Sequence, residues 1–361
     1  LGTSAEKSAK SDNAGNFNFV LLPIGQYRLT VEIANFSRYV REPLTLNVND
    51  VLRLTIDLKL GTSQEVIQIT SDAPLVEVVS NSLGKVTSGR EIVDLPLNGR
   101  NFTQLGLLQA GAAPLTQGLA QAGGSLREGH AYSINGMRPE SNNFLIDGAR
   151  NINNVDTGFA LKPPIDSIAE FRIITSGASA EFGEGLGSNT NLVMKSGSNA
   201  IHGSVYEFFR NDVFDARNFF SQDVEPLKQN QFGATVGGPL KKDKTFFFGY
   251  YEGFRNRQGN TRTTAVPSDL ERQGDFSQSV DASGQVPPLI NYLFGQVVPG
   301  NRIPAEQINP VSKNILNFYP RPNVGRNLFT STEVLENNTN QFGGRVDHRL
   351  SASDEIFVRY L

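Results

Sequence analysis

Residues 339–361 read TNQFGGRVDHRLSASDEIFVRYL, and the alternation within them decides the fold class. Small or apolar side chains occupy the even-numbered positions of both halves: Phe342, Gly344, Val346, Ile356, Val358 and Tyr360. Polar side chains occupy odd-numbered positions between them: Gln341, Arg345, Asp347 and Arg359. A period of two residues is typical of a β-strand with one apolar and one polar face. The SASDE sequence between the halves is a short turn, so the stretch predicts an antiparallel hairpin.

Three more candidate strands precede this hairpin, at residues 201–210, 230–238 and 245–255. The connections between the five strands are alternately long and short: 211–229, then LKKDK, then 256–338, then SASDE. A soluble two-layered sandwich would explain the alternation of side chains but not this rhythm of loops. Long loops on one side and short turns on the other are typical of outer-membrane β-barrels.

The barrel cannot close within residues 196–361. A plugged transporter barrel needs roughly 22 strands of about 10 residues, which is more than this stretch contains before any loop is counted. An eight-stranded barrel would fit the length, but its interior holds only side chains or one small ligand. We therefore expect the first strands of a larger barrel, in a chain truncated at its C-terminus.

The region from about residue 73 to residue 195 has a mixed α and β pattern. Its strand-like pieces are LVEVV, LGKVT, YSIN, NNFLIDG, EFRIIT and TNLVMK. Its helical pieces are REIVDL, PPIDSIAE and a short helix within LPLNGRNFTQLGLLQAG, residues 95–111. In that last helix Asn101 is the predicted N-cap, and Phe102, Leu105 and Leu108 form one face that must pack against another element.

This middle region resembles the plug domain of TonB-dependent outer-membrane receptors. The resemblance rests on YSINGMRPESNNFLIDG and on IDSIAEFRIITSGASAEFGEGLGSNTNLVMKSGSNAIHGS, whose order and spacing match the family. LPLNGRNFTQL is similar to a form found in receptors that carry a regulatory-like domain in front. Many plugs have Arg before the glycine at Asn135–Gly136, so no role is transferred to that position.

The first 60 residues predict a small antiparallel sandwich. Period-two patterns occupy residues 17–21, 27–33 and 52–60, and the SDNAGN and LPIGQ turns lie before and after the first of them. The stretch GNFNFVLLPIGQYRLTVEIANF resembles the carboxypeptidase-regulatory-like domain, a transthyretin-like β-sandwich. The strand that normally precedes this motif is missing, so we expect that an N-terminal part, including any signal peptide, has been removed.

The resemblance implies a receptor that binds a scarce or bulky solute outside the cell and imports it with energy from the inner-membrane TonB complex. TonB pairs with a short extended segment ahead of the plug. The matching segment here is QEVIQIT: Gln64, Glu65, Val66, Ile67, Gln68, Ile69 and Thr70. Its β-branched residues favour extended backbone, which can be captured by strand addition. Alternatively, the segment continues the strand pattern of residues 51–60 or begins the plug sheet.

The fold class is therefore mainly β, in four parts: a truncated regulatory-like sandwich (1–62), a linker with the candidate TonB box (63–72), an α+β plug (73–195) and the start of a transmembrane barrel (196–361). The implied location is the outer membrane of a Gram-negative cell, with the sandwich in the periplasm. Expected partners are TonB, outer-membrane lipid and an extracellular ligand, for which carbohydrate and peptide are the candidate classes. Loop aromatics that could stack on such a ligand are Tyr292, Phe294, Phe318 and Tyr319. The alternative is a non-transporting adhesin or sensor on the same barrel.

Composition and motifs argue against other classes. The formal charge is -3 with interspersed signs, which gives no electrostatic footprint for nucleic acid. There is no cysteine, and no run approaches the roughly 20 apolar residues of a transmembrane helix. His130, His202 and His348 lack metal-site spacing, and FGEGLGSN lacks the Lys-Ser or Lys-Thr of a phosphate loop. We expect no enzyme activity, no metal site and no cofactor.

Overall fold

The computed structural model describes residues 2–61, 66–69, 82–114, 132–153, 158–183, 185–217, 224–281, 283–351 and 354–361. The strand predicted at LVEVV lies outside these ranges, as do Gln64, Glu65 and Thr70 of the candidate TonB box. The chain divides into two units. Unit 1 comprises residues 1–206, 232–252 and 340–361, and unit 2 comprises residues 207–231 and 253–339.

The leading part of unit 1 forms a three-stranded sheet in the order β1-β2-β3. Its strands are β1 (Gly25–Val31), β2 (Arg38–Leu46) and β3 (Val66–Ile69). β1 and β2 are antiparallel with a shift in register between Tyr27 and Leu29, whereas β3 runs parallel to β2. β2 was not predicted from the sequence.

Two of the predicted leading strands are wrong. Residues 17–21 contain no strand, and residues 51–59 are irregular apart from contacts near their end. Those contacts are a single bridge between Phe36 and Leu60 and a hydrogen bond from the Ser37 amide to the Lys59 carbonyl, 2.9 Å. A period-two pattern marks residues that could share a face of a sheet, but a strand also needs a partner for its backbone groups.

The central part of unit 1 is a five-stranded mixed sheet in the order β4-β9-β10-β7-β8. A separate two-stranded ribbon pairs β5 with β6. The strands are β4 (Leu83–Ser88), β5 (Ala112–Pro114), β6 (Tyr132–Ile134), β7 (Asn143–Ile146), β8 (Ala149–Arg150), β9 (Ile168–Ser176) and β10 (Asn189–Met194). β10 is parallel to β7 and antiparallel to β9. All of the predicted strands that can be compared are present.

The helices of this region agree with the prediction only in part, and the one predicted at REIVDL is present, shifted by one residue. Helix α1 (Gly89–Asp94) begins with a capping box in which the Ser88 amide donates to the Glu91 carboxylate, 2.8 Å. The helix predicted at PPIDSIAE is wrong: only Ile165–Ser167 form a 3-10 turn, and β9 begins at the next residue. The β-branched run of β9 pairs on both sides, so sheet formation overrides the local helical signal.

The helix after Asn101 is a 3-10 helix, Phe102–Leu108, rather than an α-helix. The predicted cap is confirmed, because the Asn101 side chain accepts from the Thr103 amide at 3.1 Å. Phe102 and Leu105 are buried as predicted, but Leu108 is exposed. A Cβ at Gly106 would lie 2.5 Å from the Tyr132 ring, so glycine is needed for this close approach.

The 3-10 helix Phe102–Leu108 packs against its neighbours through one hydrophobic core. It joins the helix to the central sheet and includes Phe102, Phe144, Phe159 and Phe171. The Phe144 and Phe159 ring centroids lie 4.2 Å apart. The same cluster includes Phe248 from a strand beyond the central region, so that strand lies against the central sheet.

The third sheet has the order β11-β12-β13-β14-β15, which is the meander predicted from the sequence. We call it the wall sheet. Its strands are β11 (His202–Asn211), β12 (Leu227–Lys241), β13 (Thr245–Ala265), β14 (Leu328–Arg349) and β15 (Glu355–Tyr360). The connections are long, short, long and short in turn, as predicted.

β13 and β14 extend well beyond their predicted limits at residues 255 and 339. The additional residues belong to unit 2; those of β13 are mostly polar, and those of β14 combine polar residues with Leu328, Phe329, Val334 and Leu335. The Thr261 and Thr332 hydroxyls lie 2.9 Å apart, and those of Thr263 and Thr330 lie 2.8 Å apart. Cross-strand threonine pairs stabilise a ladder without burying an apolar face, which explains why the hydrophobic pattern did not reveal it.

Unit 2 also contains the long connection between β13 and β14. Helix α2 (Pro310–Leu316) begins at Asn309, whose side chain accepts from the Val311 amide at 2.8 Å. The Arg272 guanidinium donates to the carbonyls of Leu316 and Tyr319 at 2.8 and 2.9 Å. These bonds satisfy carbonyl groups at and just beyond the C-terminal end of the helix.

Candidate functional site

The described part of the candidate TonB box is β3, an edge strand. Its Cα partners in β2 are Arg38 for Val66, Tyr39 for Ile67, Val40 for Gln68 and Arg41 for Ile69. Within the residues that the structure describes, the leading sheet ends at β3. An edge strand presents backbone donors and acceptors on its outer side, where another strand can be added. This geometry is compatible with the predicted extended segment and does not test whether TonB binds it.

A turn at Asn47–Asp50, directly after β2, contacts β9 and β10 of the central sheet. The Val48 amide donates to the Glu170 carboxylate at 2.7 Å. The Arg172 guanidinium donates to the Val48 carbonyl at 2.6 Å and to the Asp50 carboxylate at 2.8 Å. Since Glu170 and Arg172 both lie on β9, the leading sheet and the central sheet are joined by polar contacts.

Burial raises the pKa of Glu170 to about 7, and the neighbouring Asp50 carboxylate acts in the same direction. The Val48 amide and the Arg172 guanidinium oppose this rise. An acid whose pKa is raised in the folded state stabilises that state below its unfolded pKa, and this contribution is lost as the pH rises through 7. The junction should therefore weaken between pH 5 and pH 8.

We expect Glu170→Gln to abolish this pH dependence, because the amide oxygen still accepts from Val48 but carries no charge. Wild type and variant should melt together near pH 5, where Glu170 is protonated. Above pH 7 the variant should melt at the higher temperature. Thermal melts across this range measure the difference, and parallel curves for the two proteins would contradict the assignment.

A second polar cluster joins the central sheet to the wall sheet. Asp147, in the turn between β7 and β8, accepts from the Met194 amide at 2.9 Å. Its carboxylate also pairs with Arg345 of β14, at 3.3 Å, and with Arg359 of β15. Arg345 pairs in addition with Asp347 at 2.8 Å. All four charged side chains of this cluster are largely buried, so each depends on the others for charge compensation.

A third polar cluster forms around Asn98–Arg100, which reads NGR. Gly99 has φ +64°, a conformation that favours glycine. The Arg100 guanidinium next to it pairs with Asp166 and stacks over the Tyr206 ring of β11, 4.9 Å from the centroid. The Tyr206 hydroxyl in turn donates to the Glu252 carboxylate at 2.9 Å, and Gln341 donates to the same carboxylate at 2.7 Å.

The wall sheet shows the predicted alternation of faces. Gln231, Thr235 and Asp347 are buried, and so are the aromatic residues Phe246, Phe248 and Tyr250 of β13. Apolar side chains on the other face of the sheet are exposed: Val205, Val236, Phe342, Val346, Ile356, Val358 and Tyr360. The parity predicted for β12 and β14 is therefore confirmed, whereas in β15 Phe357, between Ile356 and Val358, is exposed as well. The outer face is apolar, as a surface in contact with lipid must be.

The arginine clusters were missed by the sequence analysis. Asp147 lies in a turn that ends a strand, with φ +44°. Arg345 and Arg359 were noted only as polar positions in alternating strands. Each of these arginines lies at an inward-facing position of its strand. A buried guanidinium requires a carboxylate partner, so the sequence indicated that such a partner exists. The partner could not be identified, because Arg345 lies 198 residues from Asp147.

Other chemistry is sparse in the described ranges. They contain no group of His, Asp and Glu side chains arranged to hold a metal ion. His348 Nδ1 lies 2.8 Å from the Thr245 hydroxyl and His202 Nδ1 lies 3.0 Å from the Ala200 carbonyl oxygen, whereas His130 lies outside the described residues. The helices in these ranges are too short and too polar to span a bilayer.

Family models match both ends of the chain. Residues 193–361 match an outer membrane beta barrel domain, and residues 1–59 match a carboxypeptidase regulatory-like domain. The model for residues 193–361 agrees with the wall sheet and its apolar outer face. These matches assign the chain to the outer membrane.

A curated relative is the TonB-dependent transporter Oar of Myxococcus xanthus, which is 30% identical over 268 residues. The alignment covers 72% of this chain and 25% of that protein, so the chain spans about a quarter of the relative's length.

Solved structures with a similar chain path include the siderophore receptor PirA of Acinetobacter baumannii and the outer membrane transporter YddB of Escherichia coli. PirA is 17% identical with a TM-score of 0.42, and the match covers 78% of this chain and 32% of PirA. YddB is 12% identical with a TM-score of 0.45, and the match covers 74% and 31%. The sequence matches show that the chain is a homologue of a TonB-dependent transporter, with a carboxypeptidase regulatory-like domain and an outer membrane β-barrel domain.

Proposed function

We propose that the complete gene product is a receptor that binds a bulky or scarce solute outside the cell and imports it with energy delivered by TonB. On this proposal the central region (73–195) is the plug of the barrel, and Gln64–Thr70 is the segment that TonB binds. The protein acts by binding and mechanical coupling rather than by catalysis. The ligand class that we propose is carbohydrate or peptide.

The observation that carries the proposal is the position of β3. Along the chain, β3 follows the regulatory-like domain and precedes the strands of the central sheet. It is extended, and it forms one edge of the leading sheet. A passive adhesin or sensor needs no extended segment for capture by an energised partner. The similarity to a TonB-dependent transporter supports the same interpretation.

The clusters around Asp147 and Arg100 support the proposal that the central region is a plug that is held in place and can also move. Both join the central sheet to wall strands through charged or aromatic contacts rather than through apolar packing alone. Charged contacts can exchange for water when a region is pulled out of place, whereas apolar packing has no such substitute. The contacts thus suit a plug that must shift under force and return.

Substitution with proline at each of the four β3 positions in turn tests the proposal. Neighbouring amides in a strand point to opposite sides, so two of the four face β2 and two face the open edge. Proline cannot donate to a ladder. We expect proline at the two edge-facing positions to abolish capture by the periplasmic part of TonB in a pulldown, with an unchanged melting temperature.

The control for this experiment is Val66→Thr, which keeps both the amide and the preference for extended backbone. It should bind TonB nearly as well as wild type. Capture of all four proline variants at the wild-type level would contradict coupling through this segment. Such a result would favour the adhesin or sensor alternative.

A further inference from the structure

The turn at Asn47–Asp50 is rigid in itself. The Asp50 carboxylate accepts from the Asn47 amide and from the Asn47 side chain, both at 2.9 Å. The Asp50 amide donates back to the Asn47 carbonyl at 3.2 Å. Asn49 has φ +59°, in the left-handed region that asparagine tolerates better than most residues. The turn can therefore present its contacts as one preformed unit.

The contacts of this turn with the central sheet are mainly polar. Arg172 and Asp50 form an ion pair whose side chains are 5% and 7% exposed. The Asn191 side chain donates to the Asn49 side chain at 3.3 Å, in addition to the bonds at Val48. A buried ion pair contributes little net stability, because desolvation offsets most of the attraction. Such a junction fixes the position of the turn on the central sheet, and separating its polar groups into water costs little free energy.

Force applied to β3 would also be transmitted to this turn. β3 pairs with residues 38–41 of β2, and β2 ends at Leu46, directly before the turn. β9, which holds the turn, has β4 on one side and β10 on the other. A load on β3 is therefore transmitted to the turn through β2, whereas along the chain β3 leads to β4 at the edge of the central sheet.

We infer that residues 47–50 form a releasable latch. The latch holds the leading domain on β9 while β3 is unloaded, and it leaves β9 before the central sheet is disturbed when β3 is pulled. The inference rests on the proposed function for the origin of the pull. The existence of the latch itself can be tested without TonB.

Native-state hydrogen exchange of the complete gene product tests release directly. A latch predicts that the Val48 amide exchanges through local opening, faster than the amide of Ile173 within β9. Asp50→Asn removes the charge that pairs with Arg172. Since a hydrogen bond to a charged group contributes about 1.5–3 kcal/mol, Val48 exchange should accelerate roughly 10- to 100-fold. Exchange at Ile173 should remain unchanged.

Asp94→Asn is the matched control, because Asp94 forms an exposed pair with Arg90. It should leave Val48 exchange at the wild-type rate. Arg172→Met tests the same ion pair from its other side and should also accelerate Val48 exchange. The latch is overturned if Val48 exchanges as slowly as Ile173, or if Asp50→Asn and Arg172→Met accelerate its exchange no more than Asp94→Asn does.

A cross-link then tests whether release occurs under load. Residues 1–361 contain no cysteine, so Asn49→Cys with Asn191→Cys introduces the one cysteine pair within them, which a short thiol-reactive linker can join. The periplasmic part of TonB is attached to a force probe and pulled away from the membrane-bound receptor. We expect an early extension step in the reduced protein, its loss in the cross-linked protein, and its return when the linker is cleaved.

The control pair is Thr30→Cys with Val40→Cys, which are opposite each other in β1 and β2. Cross-linking this pair bridges the leading sheet only and should leave the early step in place. An early step that persists in the cross-linked Asn49–Asn191 variant would overturn the latch. Failure of TonB to attach to the wild-type receptor would contradict the proposed function instead, and the exchange experiment would still decide on the latch.

Discussion

Replacing Asp147 with alanine is expected to lower the free energy of unfolding by about 3–5 kcal/mol, the usual cost of removing one partner from a buried ion pair. The substitution leaves Arg359 without its carboxylate, and it also removes the acceptor of the Met194 amide. Arg345 retains Asp347, so most of the loss arises at Arg359. Urea titration of the refolded complete gene product measures the change.

Two further variants make this prediction specific. Asp94→Ala removes an exposed pair, with atoms 3.9 Å apart, and should cost less than about 1 kcal/mol. Asp147→Asn combined with Arg359→Met removes both charges of the buried pair, keeps an acceptor for the Met194 amide and tolerates φ +44°, so it should recover most of the lost stability. If Asp147→Ala costs no more than Asp94→Ala, the cluster does not hold the central sheet to the wall.

The second large effect concerns the outer face of the wall sheet. Val346 is exposed on that face, and an arginine there would have to be accommodated in the hydrocarbon layer. We expect Val346→Arg to cost roughly 2–4 kcal/mol if the residue lies near the bilayer midplane. The same urea titration, performed in lipid vesicles, measures this cost.

Gln341→Arg is the matched control on the inner face of the same strand. Its guanidinium can donate to the Glu252 carboxylate that Gln341 contacts at 2.7 Å, so the cost should be far smaller. Asp347 is unsuitable as a control, because it is buried and pairs with Arg345. Equal costs for Val346→Arg and Gln341→Arg would contradict the assignment of the two faces.

The wall sheet was predictable because its information is local. Strand parity follows from alternation within β12, β14 and β15, and loop lengths follow from counting residues. The polar extensions of β13 and β14 were not predictable, because threonine pairs such as Thr261–Thr332 depend on a partner strand 71 residues away. The alternation that identified the strands is lost where neither face is apolar.

The leading domain shows the opposite case. Residues 52–60 alternate more regularly than β2, yet β2 forms the strand because it pairs with β1 on one side and β3 on the other. β2 also contains a proline, Pro43, which weakens its strand signal. Backbone pairing with distant segments therefore decided which alternating segment became a strand.

The polar clusters depend on long-range contacts in the same way. The sequence contained Asp147, Arg172, Arg345 and Arg359, but apart from the local pair Arg345–Asp347 their ion-pair partners lie between 122 and 212 residues away, at separations that no local pattern encodes. The candidate TonB box was identified by its position between two regions and by resemblance. Its role remains a prediction.

Site-specific photo-cross-linking in living cells tests the central claim, that TonB engages the segment at residues 64–70, most directly. A photoreactive amino acid replaces Gln68 in β3, or Arg28 in β1 as the control, in the complete gene product. The account predicts an adduct with TonB at position 68 and none at position 28. The absence of an adduct with TonB at position 68, or an adduct at position 28 as strong as that at position 68, would contradict it.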